Sequence, residues 1–585
     1  MRNAKIVCTL GPASSDVETI HRLADAGMSV ARLNASHGET ADRATLVDRV
    51  RTVDEETTSP LAVMLDLQGP EIRTAPLEDD EAVTLRDGET IALVEGEAAT
   101  PAEIGLSDPI VGVTTGDRIL LDDGLIELTV TEVTDEAVHA RVDSGGELGS
   151  RKGVNVPGVE LDLETVTDAD RRELELAAEK SVDFVAASFV GSADDVYEVN
   201  EFLESLGADV PIVSKIERAE AVSNLDSMID ASEGIMVARG DLGVELPMEE
   251  VPMIQKRIVR RAHEAGVPVI TATEMLDSMV HAPRPTRAEA SDVANAVLDG
   301  TDAVMLSAET AVGDDPVRVV ETMDRIVREV ESSSEYGDVL EGRVPKSGGS
   351  KTDALARAAR YLARDVGADA IVAATESGYT ARKAATYRPS IPIIASTPHD
   401  GVRRQLALSW GVTPVYAPIS DQSADAVIER AVQSAIDAGV AESGETVVVL
   451  CGMMTELEGA NTTNMLKVHV AADTLETGRV VVEGRASGPI AHASDGALTD
   501  LPEGAILALD AEFDGEFDGD VSRLSGILDA RPGMTGYAAL VAREVGIPML
   551  SGADCTDLAA GRVVTIDGDR GVVYDGELAP RDQTA

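Results

Sequence analysis

Seven short apolar runs in this sequence each end on groups that could do chemistry. Arg32, Asn34 and Ser36 close VARLNAS, and Asp66 closes LAVMLD. Ser188 closes DFVAAS, Lys215 and Glu217 close PIVSKIE, and Arg239 and Asp241 close GIMVARGD. Thr273 closes VPVITAT, and Ser307 and Glu309 close DAVMLSAE. Any one of these alone reads as an ordinary polar residue where a strand meets a loop; their joint occurrence does not. Glu217 and Asp241 end neighbouring runs, so their carboxylates can share a hard cation such as Mg²⁺. Lys215 sits two residues before Glu217 and so points to the same side of a strand. An ammonium beside a divalent cation suits charge developing on a transferring phosphoryl group. Arg32 and Arg73 can grip phosphate or carboxylate oxygens in bidentate fashion. Asn34, Ser36 and Asp66 are oxygen ligands suggesting a second, singly charged cation, and the Thr273 hydroxyl is a weak base but a feasible proton relay. These residues point to metal-dependent phosphoryl or enolate chemistry.

The elements that must position them follow one rhythm. Through the first 70 residues, and again from about 155 to 330, β-branched runs alternate with amphipathic stretches such as DVETIHRLADAG and EEVPMIQKRIVRRAHEAG. That alternation predicts parallel strands joined by helices. KIVCTLG brings the runs to eight, which predicts a (β/α)₈ TIM barrel whose C-terminal strand ends converge on one rim. Between about 70 and 154 the rhythm gives way to VTLRDGETIALV, DRILLDDGLIELTV and EAVHARVDSGGEL, a small all-β lid inserted after the third barrel strand. The expected division is 1–69 with 153–332 as barrel, 70–152 as lid, 345–473 as a C-terminal α/β domain, and 479–585 as a further swivelling β/α domain.

Composition bounds the setting. With 49 basic against 105 acidic residues the formal net charge is −56, and the acids are scattered rather than blocked into tails. Such a surface suits concentrated salt, where the Debye length falls to about 3 Å at 1 M, and in dilute buffer it should repel itself. No basic stripe favours nucleic acid. Aromatics are 2% of the chain, so its cores must be built from Val, Ala, Leu, Ile and Met. Cys8, Cys451 and Cys555 have neither paired nor metal-like spacing and are expected as core residues. No apolar run nears the ~20 residues of a membrane span, and a cytoplasmic location is expected.

At these positions the sequence resembles pyruvate kinase. The matching strings include KIVCTLGPAS, AGMSVARLNASHG, LDLQGPEIRT, RKGVNVPG, SKIER, GIMVARGDLGVE, ITATEMLDSM and PRPTRAEASDVANAVLDGTDAVMLSAETAVGDDP, in the family's order up to about residue 470. The resemblance implies transfer of a phosphoryl group from phosphoenolpyruvate to ADP, with Mg²⁺ (or Mn²⁺) and K⁺ as cofactors and a homotetramer as the usual assembly. It implies that Lys215 stabilises the phosphoryl group in flight. Glu217 and Asp241 would hold magnesium, Gly240 and Thr273 would contact substrate, and Arg32 would bind its phosphate. Asn34, Ser36, Asp66 and the Leu67 carbonyl would form the potassium site. Asn34, His37, Arg73 and Lys152 would face the nucleotide, Arg73 also with a catalytic part. Thr375, Ser377, Gly378 and Thr380, between a strand and a helix, would receive the phosphate of an allosteric effector; simple helix capping is the alternative there.

Some positions depart from the family text or refine it. Leu67 and Gln68 replace the commoner Thr and Lys, and the second change removes a positive charge. Glu71 in GPEIR goes with a potassium requirement in the family. The last hundred residues resemble the mobile phosphohistidine domain of phosphoenolpyruvate-using enzymes, through GRASGPIAHASDGAL and GMTGYAALVAREVGIPMLSGADCTDLAAGRVVTIDGDRGVVYDGE. Tyr537 stands where that motif carries its histidine, and a phenol of pKa about 10 cannot replace imidazole as a carrier near neutrality. A structural or interface role is therefore expected, and His492 is expected as a loop residue. Two rivals remain: another phosphoenolpyruvate/pyruvate barrel enzyme (a synthase or lyase), and a non-catalytic regulatory homologue. The loss of the carrier histidine disfavours a synthase, and retention of Lys215, Glu217, Asp241 and Thr273 disfavours a dead homologue.

Overall fold

The computed structural model describes residues 2–77, 82–122, 124–159, 161, 163–418, 424–442, 444–452, 463–472, 474–492, 496–499, 501–513, 515–555 and 557–578. Positions 473 and 585, expected domain ends, lie outside the described residues, as do residues 493–495 of the GRASGPIAHASDGAL motif. The chain forms two compact units.

The first unit holds residues 1–360, 375–416 and 454–463. Its centre is a closed barrel of eight parallel strands in chain order. They are Lys5–Thr9, Val30–Asn34, Ala62–Asp66, Phe184–Ala187, Ile212–Ile216, Gly234–Ala238, Val269–Ala272 and Ala303–Leu306. Successive side chains on a strand point to opposite faces, and the burial pattern follows that rule. Val7, Val30, Met64, Phe184, Val213, Met236, Ile270 and Met305 fill the interior. Their neighbours Ile6, Cys8, Ala31, Val63, Leu65, Val185 and Ile235 face the helical layer. With Phe184 the one aromatic in that interior cluster, methionine does the gap-filling an aromatic-poor sequence requires. The helices start and stop where local chemistry dictates. In Arg287–Asp299, Thr286 and Glu289 cap each other's backbone amides, and Gly300, at φ 96°, ends the helix.

The expected all-β insertion is present. Its seven-stranded sheet enters through Ile72–Arg73 and leaves through Gly153–Asn155, which pair antiparallel side by side. The lid therefore joins the barrel through two adjacent strands. The same unit carries the parallel pair Ile393–Thr397 and Val412–Tyr416, with helix Tyr379–Thr386 ahead of them.

In the second unit, Ala370–Ala374 pairs parallel with Thr446–Cys451, and Met465–Val470 adds antiparallel. An eight-stranded sheet follows, built around the parallel strands Arg485–His492, Ala505–Leu509, Leu524–Asp529 and Met549–Ser551. All three cysteines are buried and unpaired. Among the described residues no helix is long and apolar enough to cross a membrane.

Candidate functional site

The fifth barrel strand, Ile212–Ile216, delivers Lys215 to the C-terminal rim, and Glu217 follows on the next inward-facing position. The Lys215 Nζ donates to Ser188 Oγ at 2.8 Å and lies 3.4 Å from Asp66 Oδ1. It also stands 2.6 Å from Glu217 Oε1. Oε1 is buried, and beyond this ion pair with Lys215 no hydrogen bond of regular geometry reaches it among the described residues. The other carboxylate oxygen accepts from the Phe189 backbone amide at 2.8 Å. Glu217 thus presents one anchored oxygen and one open valence. Among the described residues no cluster of three or more His, Cys, Asp or Glu side chains gathers around one point. A cation here would rest on two carboxylates and on oxygens the substrate brings.

Asp66, fully buried, ties the second and third strands to this point. Arg32 donates to its Oδ2 through Nε at 2.6 Å, and spends Nη1 on Thr9 Oγ1 at 2.9 Å. Ser188 bonds the Leu67 carbonyl at 2.7 Å and approaches Asp66 Oδ1 at 3.3 Å. Arg32, Asp66, Leu67, Ser188, Lys215 and Glu217 are one connected polar knot.

Its electrostatics follow from burial and sign. Burial opposes the Lys215 ammonium, but the carboxylates of Asp66, Glu217 and Asp241 outweigh it, leaving the lysine charged well beyond its ordinary range. Asp66 loses water too, yet Arg32 and Lys215 hold its pKa low. Glu217 moves up: burial leads, Lys215 pulls against it, and the like charge of Asp241 adds to it. A raised carboxylate with an unsatisfied oxygen is the group in this knot most in need of a positive neighbour.

Asp241 belongs to this field, but the element differs from expectation. The strand of GIMVARGD ends at Ala238, and Arg239–Glu245 is a short helix with Asp241 in its first turn. The turn is fixed by Arg239, whose guanidinium donates to Ala272 O at 2.9 Å, Thr273 O at 2.6 Å and Asp292 at 2.8 Å. Thr273 takes a left-handed backbone, φ 75°, and Glu274 another, φ 51°. The Arg239 bonds to the carbonyls of Ala272 and Thr273 hold that strained turn. Gly240 packs so close that an added Cβ would fall 2.8 Å from Thr273 Cγ2.

The remaining residues named above lie on several elements. Asn34 Oδ1 accepts from the Ser36 amide at 3.1 Å, which folds the loop after the second strand back on itself. His37 follows, its pKa lowered by burial and then by the nearby positive charges of Arg73 and Arg32. Arg73 is held by Glu71 at 2.6 Å and donates to Arg151 O at 3.0 Å. Lys152 instead pairs with Asp122 at 2.8 Å within the lid. Thr375, Ser377, Gly378 and Thr380 stand apart from the knot. Gly378, at φ 78°, caps helix Tyr379–Thr386, and the Thr380 and Thr463 hydroxyls bond at 2.8 Å. In the second unit Tyr537 opens helix Tyr537–Val545 with its ring edge-on to Phe517, centroids 5.3 Å apart. His492 rests its Nε2 on Leu558 O at 2.9 Å.

Three contributions lay beyond sequence reasoning: the Phe189 amide on Glu217, the Thr9 hydroxyl on Arg32, and Ser188 as the link between Lys215 and the Leu67 carbonyl. Only Ser188 left a signal, its place at the end of a barrel strand.

Comparison with known proteins agrees with this architecture. The model described as "Pyruvate kinase, barrel domain" matches residues 1–320, and "Pyruvate kinase, alpha/beta domain" matches 353–469. "PEP-utilising enzyme, mobile domain" matches 501–571. A Geobacillus stearothermophilus protein named pyruvate kinase is 42% identical over 99% of this chain and 99% of its own length. Proteins of that name from Bacillus licheniformis and Sporosarcina psychrophila are 40% and 41% identical over 99% of this chain and all of theirs.

Proposed function

The chain belongs to the pyruvate kinase family, and we propose that the knot around Lys215 is where it carries out that family's reaction. It is a phosphotransferase that passes the phosphoryl group of phosphoenolpyruvate to ADP, giving pyruvate and ATP. The observation carrying the site assignment is the buried Glu217 carboxylate paired with an ammonium that Asp66, Glu217 and Asp241 together keep charged.

In this reading Glu217 and Asp241 would hold magnesium, whose chemistry when bound is to draw charge from the substrate's carboxylate and phosphoryl oxygens. Lys215 meets the negative charge on the moving phosphoryl group, and Ser188 and Asp66 fix where its ammonium stands. Arg32, locked by Asp66 and Thr9, turns its remaining N–H groups toward the substrate phosphate. Gly240 keeps the surface beside Thr273 open for substrate, and the Thr273 hydroxyl relays the proton that the enolate takes up as it becomes pyruvate. Asn34, Ser36, Asp66 and the Leu67 carbonyl are hard oxygen donors suited to potassium. His37 and Arg73, with Lys152, would receive the nucleotide, and Thr375, Ser377, Gly378 and Thr380 a phosphorylated effector. The four-domain division, a homotetramer, a cytoplasmic location and a surface adapted to salt belong to the same proposal. So does a non-catalytic role for the domain carrying Tyr537.

The test is a lactate dehydrogenase-coupled assay of the full chain in concentrated KCl with MgCl₂. NADH oxidation should require both phosphoenolpyruvate and ADP and stop on magnesium chelation. Absence of turnover under all salt conditions would remove the proposal.

A further inference from the structure

The seventh barrel strand, Val269–Ala272, runs into a turn that its own residues do not favour. Thr273 and Glu274 both take left-handed backbones, φ 75° and 51°. A side chain branched at Cβ is a rare occupant of that region, and such a conformation persists only where its surroundings impose it. The far side of the turn is held by buried Glu309, whose Oε1 accepts from the Leu276 amide at 3.0 Å. The near side is held from the end of the sixth strand, by Arg239.

Arg239 spends its whole donor set on this task. Nε donates to Ala272 O at 2.9 Å, and Nη2 to Thr273 O at 2.6 Å and to Met275 Sδ. Nη1 meets both Asp292 oxygens, at 2.8 and 2.6 Å. A guanidinium has five N–H bonds, and these acceptor atoms leave none over for a substrate. Among the described residues its partners include no member of the knot, where Arg32, Asp66, Lys215 and Glu217 bond one another.

What the turn presents is the Thr273 side chain. Its methyl lies against Gly240, where an added Cβ would come 2.8 Å from Cγ2 but 3.8 Å from Oγ1. The place of the methyl sets the rotamer, and no described residue hydrogen-bonds the hydroxyl. The short helix Arg239–Glu245 has an anchor besides the guanidinium, since Leu242 within it is wholly buried. Asp241 therefore keeps its place when the contacts of Arg239 are lost.

We propose that Arg239 is a positioning residue for proton delivery. By holding the carbonyls of Ala272 and Thr273 it aims the Thr273 hydroxyl at the enolate, and without it protonation slows more than phosphoryl transfer does. This role rests on the assignment of the knot and of Thr273 given above. In the forward reaction the bond from phosphorus to the enol oxygen breaks as one to an ADP oxygen forms, which leaves the enolate of pyruvate. Its C3 then forms a C–H bond with the hydroxyl proton of Thr273, and the threonine oxygen takes a proton back from water. The first step draws on Lys215 and its neighbours, which Arg239 does not touch. The second needs the hydroxyl within reach of C3, where a displacement of about 1 Å costs on the order of 10²-fold.

Two rates separate the steps in the full chain, with MgCl₂ and KCl present. Exchange of the pyruvate methyl protons with D₂O in the presence of ATP, followed by proton NMR, reads the proton step. Single-turnover formation of ATP from phosphoenolpyruvate and ADP, by rapid quench, reads phosphoryl transfer. Arg239→Lys keeps a cation for Asp292, but a single nitrogen does not reproduce the fork that bridges two carbonyls. It should lower exchange by about 10²-fold, while ATP formation and the KM for phosphoenolpyruvate stay near the parent's. Asp292→Asn loosens the guanidinium without removing a contact to the turn. It should show the same imbalance in smaller measure, and it decides the matter if the lysine variant does not fold. In a crystal structure of Arg239→Lys, Thr273 should leave the left-handed region. Equal falls in the two rates, exchange at the parent's rate, or an unchanged Thr273 φ would each overturn the role of Arg239 alone. A parent without any turnover would sink the site assignment and this role with it.

Discussion

The two ends of the barrel bury similar chemistry to opposite purposes. At the C-terminal rim, Arg32, Asp66, Lys215 and Glu217 lie within a few ångströms of one another and one carboxylate oxygen is left open. At the N-terminal end, Asp183 accepts from the Val63 amide at 2.7 Å, Arg51 at 2.7 Å and Arg404 at 2.9 Å. Asp54 there meets the Leu61 amide at 2.8 Å and Arg404 at 3.5 Å. Those carboxylates have their valences filled from within the chain. Burying charge does not by itself mark an active site, since ion pairs that serve only structure do it equally well. What separates these two sets of carboxylates is the buried oxygen that the rim leaves without a regular hydrogen bond.

The largest effect should come from the open end. Replacing Lys215 by Met removes the cation facing the transferred group and should lower kcat by about 10³-fold or more, on the scale of losing one transition-state donor. The far-ultraviolet circular dichroism should stay that of the parent, because Arg32 still holds Asp66. Retained turnover would mean the knot is not where the reaction happens.

The mirror experiment belongs to the closed end. Asp183→Ala leaves Arg51, Arg404 and the Val63 amide without their shared acceptor, and should cost about 3–5 kcal/mol in denaturant stability. Its kcat per folded molecule should match the parent. If kcat falls and stability holds, the contrast between the two ends is misdrawn.

Why one end could be read from sequence and the other could not follows from the same difference. Lys215 and Glu217 advertise themselves because alternation along a strand puts both on one side, and the SKIE text is local. The barrel was legible for a similar reason, its short β-branched runs alternating with amphipathic stretches along the chain. Asp183 and Arg404 are 221 positions apart, and no pattern in either neighbourhood announces the other. Phe189 was hidden differently: its contribution is a backbone amide aimed by a left-handed turn, φ 59°, which side-chain identity does not encode. The helical placement of Asp241 escaped because GIMVARGD reads as one continuous strand until Arg239 reaches across to two carbonyls of the adjacent strand end.

A smaller effect distinguishes the ends by pH. Lys5 begins the first strand with its Nζ on Val412 O at 2.7 Å, and burial, helped by Arg2, lowers its pKa to about 7. The unfolded lysine titrates near 10.4. Between those values the unfolded chain holds a proton the folded one lacks, so stability rises with pH across that window. Below about 7 both states carry the proton and the slope from Lys5 disappears. From pH 7 to 9 the contribution should reach about 2–3 kcal/mol at most. Lys5→Met should flatten the difference in unfolding midpoint between those pH values; an unchanged slope would assign it to other groups.

The smallest expected effect returns to the open rim and asks whether its spare valences extend to a monovalent cation. Glu71 stands 2.6 Å from Arg73 and adds negative charge beside the groups proposed to meet phosphate. Among the described residues, Asn34 Oδ1 accepts from the Ser36 amide and the Leu67 carbonyl from the Ser188 hydroxyl, contacts that leave each oxygen a second lone pair for a cation. Replacing KCl by NaCl at matched ionic strength should therefore lower kcat severalfold, while the stability of the fold should be the same in either salt. Glu71→Lys supplies the positive charge covalently and should bring the two salts to equal rates. Equal rates in the parent would remove the potassium site. A loss of stability in sodium as large as the loss of rate would place the cation's effect in the fold rather than at the rim.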